Sequence, residues 1–465
     1  MSVSPNSAET KLRPVGATEL SWCKAVPGGT GITVLALLLS KPPNTQILQN
    51  ALHKLQISHP ILNSKLHYNP TSNSFSYLTP PTPHIQIHPF DLQSTSQILH
   101  QNPISVSPLH LILEHELNRN SWQDPDPSSD ADLFFASVYT LEDDKWVVAL
   151  RLHTSACDRA SAVALLSELL GMMGEGGRGG GVEVELGKEV GVSLGIEEYI
   201  PSGEGNKPFW ARGVDMLGYS LNSLRLSNFS FKDSVSPRES RVVRLKLNEE
   251  DTNQILSSCE CKEIKLCALL AAAGLIASHT LKGIPDDHWE KYAVATLMDC
   301  RSILDPALSS HHMGFYHSAI MNTHDVKGGE NLWDLAKRVH SSFENAKNNK
   351  KHFSDMADLN FLMCKAIENP SLTPSGSLRT SLISVFEEPM IEHSNNMHQL
   401  IGLEDFIGCS SIHGVGPSMA IFDTIRDGKL DCACVYPFPL HSREQMQEFV
   451  DEMKRIVLDG TILMG

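Results

Sequence analysis

The stretch Trp146-Val-Val-Ala-Leu-Arg-Leu-His153-Thr154-Ser-Ala-Cys-Asp158-Arg159-Ala-Ser161 reads as an apolar strand that runs into a polar turn and opens an apolar helix. A histidine at the last position of a strand is held by a rigid element while its ring reaches the loop layer. His153 is therefore a candidate general base, since an imidazole with a pKa of about 6.5 is free to take a proton near neutral pH. Asp158 stands one turn further on, beside the start of the helix expected from Ser161 to Leu170. A carboxylate there caps the helix or holds a basic partner across the turn. The chain has 21 histidines, so a structural role for a single strand-end histidine is the competing reading.

At 465 residues the chain is long for one core and suits two domains of roughly 200 residues each. Its 41% hydrophobic and 20% charged residues are those of a soluble globular protein. The formal charge is −16 and no run of lysine or arginine interrupts it, which argues against nucleic acid and anionic membrane as partners. The segment Met1 to Glu9 lacks the basic and apolar parts of a secretory signal, and the longest apolar run, Gly31 to Leu39, is far short of a membrane span. Ten cysteines in such a chain read as free thiols in a reducing compartment, so the expected location is cytoplasmic. The pairs Cys259/Cys261 and Cys432/Cys434 have no second ligand pair at metal spacing, and no metal site is expected. Cys432 and Cys434 alternate along a strand and should face one side.

In chain order, residues 1–17 read as polar and unstructured, and Ser21 to Ser40 as one or two strands. Asn44 to Ser58 reads as an amphipathic helix with Ile47, Leu48, Ala51, Leu52 and Leu55 at the 3.6 period. Residues 69–130, rich in Pro, Ser, Thr, Asn and His, read as a loop-heavy excursion with short strands. Leu133 to Thr140 and Lys145 to Leu152 form a hairpin whose second strand delivers His153. The glycine-rich run Gly174 to Gly181 follows a helix instead of preceding one, so it is a surface loop and not a phosphate cradle. An irregular span from Glu197 to about Pro237 marks the boundary. The division is residues 1–215, a crossover at 216–240, and residues 241–465. In the last part, Arg241 to Leu247 is an alternating strand, and Glu263 to Leu281 is a helix whose small residues should pack closely on a sheet.

A second chemical region is Ala293-Val-Ala-Thr-Leu-Met-Asp299-Cys-Arg301-Ser-Ile-Leu-Asp305-Pro306, followed by Gly314-Phe-Tyr316. The first half is a buried strand ending in Asp299 and Arg301. Taken alone, Arg301 reads as an exposed arginine near a turn. The chain closes with a hairpin over Asp427-Gly428 and a helix from Ser442 to Leu458 with Met446, Phe449, Val450, Met453 and Val457 on one face.

The His153 stretch, the early helix followed by His59-Pro60, the strand ending in Arg301 and the terminal hairpin and helix together resemble the CoA-dependent acyltransferases of the chloramphenicol-acetyltransferase-like fold. That superfamily includes the plant BAHD acyltransferases and the condensation domains of peptide synthetases. Its motif is His, three residues, Asp, usually followed by Gly. Here four residues separate His153 from Asp158, and Arg159 stands in the glycine's place. Anchored on the histidine, the motif has gained one residue before Asp158. Anchored on the aspartate, Thr154 occupies the catalytic slot, and threonine is no base near neutrality. The BAHD signature Asp-Phe-Gly-Trp-Gly has only a partial echo, in Asp405-Phe-Ile-Gly408.

The resemblance implies an α/β protein of two similar lobes, each a mixed sheet covered by helices, with a channel between them. It implies an acyltransferase, monomeric, that moves an acyl group from acyl-CoA, as co-substrate and not as a bound cofactor, to a hydroxyl or amine of a small acceptor. His153 would be the base, Asp158 would pair with Arg301 to shape the turn, and Gly314 and Tyr316 would neighbour the substrate channel. The alternative is a catalytically silent relative that binds a small molecule or a partner protein.

Overall fold

The computed structural model describes residues 10–100, 106–124, 130–175, 191–208, 226–394 and 396–462. They form the two expected lobes, each built on a mixed sheet with helices against it. In the first lobe five strands lie in the order Leu403–Ile412, Thr30–Leu39, Trp146–His153, Phe134–Thr140, Ile87–Phe90. Thr30–Leu39 is central and buried along almost its whole length, which is why its sequence is continuously apolar instead of alternating. Its pairing with Trp146–His153 runs without a register shift from Leu39 opposite Trp146 to Ile32 opposite His153. The predicted hairpin is present, with Thr140 opposite Trp146 and Phe134 opposite Leu152.

Helix Thr45–Ser58 starts at Asn44, whose side-chain oxygen accepts from the backbone N–H groups of Gln46 and Ile47. It buries Leu48, Ala51, Leu52 and Leu55 as the period requires. Helix Arg159–Glu175 adds Leu165, Leu166 and Leu169 to the same core. A small four-stranded sheet, in the order Lys11–Pro14, Ser74–Thr79, Lys65–Asn69, Ala131–Asp132, stands beside it.

The second lobe has a seven-stranded sheet. Strands His317–Lys327, Trp289–Asp299, Arg379–Phe386, Gly416–Arg426, Lys429–Phe438 and Glu239–Lys246 follow one another, and Met390–Glu392 pairs with Gly416–Arg426. Its core helix, Leu266–Leu281, lies close to the sheet because its packing face is small. A Cβ at Gly274 would come within 2.2 Å of Ile383 Cδ1, so Gly274→Ala would force the helix outward at about 1–3 kcal/mol. Cys432 and Cys434 both face this core and are fully buried.

Several expectations need correction. Of the span Ser21 to Ser40 only Thr30–Leu39 is strand, Ser21 to Ala25 belonging to helix Ala17–Ala25, and Lys11–Pro14 is paired in a sheet and not unstructured. The excursion at 69–130 holds two helices, Leu92–Leu99 and Pro108–Asn118. Helix Glu249–Cys261 precedes the predicted one. The division into 1–215 and 241–465 is not clean, because Leu403–Ile412 returns to pair with Thr30–Leu39 and completes the first lobe's sheet. The glycine-rich loop lies largely outside the described residues, as does the start of the crossover. No single helix among the described residues is long and apolar enough to cross a membrane. All ten cysteines are unpaired.

Candidate functional site

A cavity of about 870 Å³ lies between the lobes, within the size range of small-molecule sites. Thr33, Leu35 and Thr154 line it from the first lobe and Leu297, His317 and Met321 from the second. Most of its wall is apolar.

His153 is not part of that wall. Successive residues of a strand face opposite sides, and His153 shares its side with Arg151. Both pack on Trp122: the Arg151 guanidinium lies 5.5 Å from its ring, and the imidazole meets it edge-to-face at 5.2 Å. The His153 side is thus covered, and the residue is fully buried. Its Nδ1 accepts the Ser155 backbone N–H at 3.2 Å and lies 2.7 Å from the Ser155 hydroxyl, which in turn accepts from Tyr77. Nδ1 being the acceptor, the proton belongs on Nε2, which has no hydrogen-bond partner among the described residues. Burial pushes the imidazole down to about 3, so it is neutral at pH 7. The role of His153 as a base facing substrate is therefore corrected: the ring is sealed in the first lobe's core.

Thr154 faces the channel instead. The strand pairing carries no bulge, and the chain passes directly into a short turn, Thr154–Ala156. Three residues, Ser155, Ala156 and Cys157, thus separate the channel-facing Thr154 from Asp158. The Thr154 hydroxyl lies 2.8 Å from that of Thr33, which lies 2.8 Å from that of Ser410. This hydroxyl chain has no carboxylate or imidazole in it.

Asp158 caps helix Arg159–Glu175 and also holds a basic partner. Its Oδ1 accepts from the Ser161 backbone N–H at 2.8 Å and from Arg301 Nη2 at 3.1 Å. Its Oδ2 accepts from Arg301 Nη1 at 3.0 Å and the Tyr316 backbone N–H at 2.8 Å. Arg301 also reaches Asp299, Ser161 and the His312 carbonyl. Burial by itself would push the Asp158 carboxyl up; the Arg301 charge, then His317, more than offset it and hold it well below the usual carboxylate range. Arg301, expected from its position alone to be exposed, is buried. This corner ties the turn to the second lobe.

Gly314 and Tyr316 belong to the same clamp and not to the channel. The Gly314 carbonyl accepts from the Asp158 backbone N–H at 3.0 Å, and its φ of +149° with the Tyr316 ring 2.8 Å from an added Cβ admits only glycine. Tyr316 is buried and donates its hydroxyl to the Leu194 carbonyl. The residues between and after them, Phe315 and His317, line the channel. His317 Nδ1 lies 3.0 Å from Asp158 Oδ2 but off the line a hydrogen bond needs. Arg159, in the glycine's place, spans to the second lobe 3.0 Å from Asp423 and stacks on Phe386 at 4.3 Å.

Sequence reading missed Phe315 and His317 by one step of alternation. It also missed Arg379, a buried guanidinium on the channel wall, for which no local pattern gave a signal.

No family model matches the sequence, and no curated protein matches it. Solved structures do match along the whole chain. The polyketide synthase associated protein 5 of Mycobacterium tuberculosis has TM-score 0.69 and 14% identity over 98% of this chain and 100% of its own. The trichothecene 15-O-acetyltransferase TRI3 of Fusarium sporotrichioides has TM-score 0.68 and 11% identity over 98% and 96%. The first condensation domain of the calcium-dependent antibiotic synthetase, in complex with a substrate analogue, has TM-score 0.62 and 13% identity over 98% and 97%. The chain therefore shares the two-lobe fold of these proteins, an acetyltransferase and a condensation domain among them.

Proposed function

We infer that this protein binds a small, largely apolar molecule in the channel between its lobes and does not use His153 as a general base. The observation that carries this reading is Thr154: it holds the channel-facing position of the turn, while the only imidazole in the motif is sealed behind Trp122. A threonine hydroxyl bonded to other hydroxyls does not take a proton at neutral pH. The clamp of Asp158, Arg301, Gly314 and Tyr316 keeps the channel in shape. The same reading treats the protein as a cytoplasmic monomer with reduced thiols, which its ten unpaired cysteines support. The test is binding of the neutral dye Nile red, followed by fluorescence, to wild type and to Ala295→Trp, which fills the channel wall. Saturable binding lost in Ala295→Trp is expected; binding that survives the substitution would place the ligand elsewhere.

One observation favours a second reading, acyl transfer from acyl-CoA to a hydroxyl or amine of a small acceptor with a different base. His317 is an imidazole on the channel wall beside Asp158, a pair that could accept a proton from an acceptor in place of His153. Free CoA release that disappears in His317→Asn but persists in His153→Asn would select it.

A further inference from the structure

Where Thr30 meets the second lobe, the channel wall carries a positive charge that no acid among the described residues balances. Arg379, 3% exposed, opens strand Arg379–Phe386 and lines the cavity. Among the described residues its guanidinium donates only to backbone carbonyls: Ser377 and Ile412, each at 3.0 Å, and those of Pro417 and Gly414. Arg238 donates to the same Ser377 carbonyl, so two guanidinium groups converge there. No carboxylate contributes to the electrostatics of either among the described residues, whereas Arg151, Arg244 and Arg301 are each ion-paired. Burial, then the neighbouring Arg238 charge, pushes Arg379 down to about 9, which still leaves it charged at pH 7. A buried cation without a counter-ion costs several kcal/mol.

Two hydroxyls sit at the same place with no partner. Thr30 Oγ1 and Ser381 Oγ are buried, unpaired and on the cavity wall. Strand pairing gathers them around Arg379: Thr30 lies opposite Ile412 and Ser381 opposite Pro417, and the carbonyls of Ile412 and Pro417 are two of the acceptors that hold Arg379. Of the five guanidinium N–H groups, four are used by these carbonyls, which leaves one donor beside two unpaired hydroxyls. The nearby imidazoles of His413 and His441 are pushed down to about 4 and about 3, by burial and then by these same arginines, and add no charge at pH 7.

We propose that the channel takes an amphipathic carboxylic acid, its carboxylate held by Arg379 with the hydroxyls of Thr30 and Ser381 and its apolar body lying along the apolar wall of the channel. This rests on the ligand-binding reading and names the ligand class. One unused N–H and two O–H donors match the two oxygens of a single carboxylate, and the apolar wall excludes a heavily charged group. The apolar wall of the channel, with Leu297, Met321 and Met363 in its lining, takes the aliphatic body.

The experiment compares dodecanoate with dodecanol, each displacing Nile red from the full chain at pH 7. Wild type should bind the acid at least tenfold more tightly than the alcohol. Arg379→Met should bring the two together by removing the acid's advantage, and Thr30→Val and Ser381→Ala, small changes at the wall, should each reduce that advantage. Equal displacement by acid and alcohol in wild type, or an advantage that survives Arg379→Met, would overturn the proposal while leaving a ligand channel in place. Nile red binding that neither compound displaces would overturn it as well. Absence of Nile red binding itself would remove the ligand-binding reading and the proposal with it.

Discussion

Arg301 and Arg379 are buried almost equally, at 2% and 3% exposure, on the same lobe. One follows strand Trp289–Asp299 and the other begins its parallel neighbour Arg379–Phe386, so they stand at opposite ends of one sheet. Arg301 is met by Asp158 in a two-point ion pair; Arg379 meets only carbonyls. A buried cation with its acid in place is scaffold, and here it fixes a turn between lobes. A buried cation without one, set in a cavity wall next to unpaired hydroxyls, is fit to meet a ligand.

The largest difference between the two corners should be in stability. Arg301→Met leaves the buried Asp158 carboxylate without its cation and should cost about 3–5 kcal/mol in urea unfolding; Asp158→Ala, which leaves Arg301 the partly exposed Asp299, should cost less. The double variant should cost clearly less than the sum; strict additivity would break the ion-pair half of the comparison. Arg379→Met strands no acid and removes a charge that is costly to bury, but it leaves carbonyls unpaired, so a smaller loss of about 1–3 kcal/mol is expected. A loss equal to that of Arg301→Met would mean that Arg379 too is scaffold.

Acid should act on the Asp158 turn through His153, and the buried His413 and His441 carry a loss of the same sign to the Arg379 corner. His153 titrates at about 3 in the folded chain and at about 6.5 unfolded. Between these values the unfolded chain binds more protons, so stability falls as pH drops below about 6.5. Asp158, held below its unfolded value, contributes stability above about pH 4 that is lost as pH falls further. Unfolding at pH 7 and pH 5 should reveal about 1–2 kcal/mol that wild type loses and His153→Asn keeps; equal losses would show that His153 is protonated freely in the folded state. The smallest effect is expected at the other corner. Dodecanoate affinity should be flat from pH 6 to 8, because the Arg379 guanidinium keeps its proton throughout. Affinity that falls across this range would separate carboxylate binding from that guanidinium.

Much of this was legible in the sequence. The strand, turn and helix around Asp158 follow from an apolar run, a polar break and a second apolar run, and the Asp427-Gly428 hairpin follows from its turn residues. What alternation alone could not supply was phase. Whether His153 or Thr154 faces the channel, and whether Tyr316 or His317 does, depends on which side the neighbouring layer covers, and Trp122 and the Asp158 clamp decide it. Helices Pro108–Asn118 and Glu249–Cys261 carried readable signals, a Ser-Pro start and an Asn248 cap before three acidic residues. Composition obscured the first, and attention to the stronger helix that follows obscured the second. The return of Leu403–Ile412 to the first lobe is long-range pairing that no local window contains. Arg379 is partnered only by carbonyls brought together from 377 to 417, so its environment exists only in the folded chain.

The central claim is that the motif turn presents Thr154 and not His153 to the channel. It is tested most directly by free CoA release from a panel of acyl-CoAs with alcohol and amine acceptors, measured for wild type and for His153→Asn, which keeps an acceptor for the Ser155 N–H. The account predicts no component of turnover that depends on His153. A rate in wild type that falls by about 100- to 10,000-fold in folded His153→Asn, the loss expected of a general base, would contradict it.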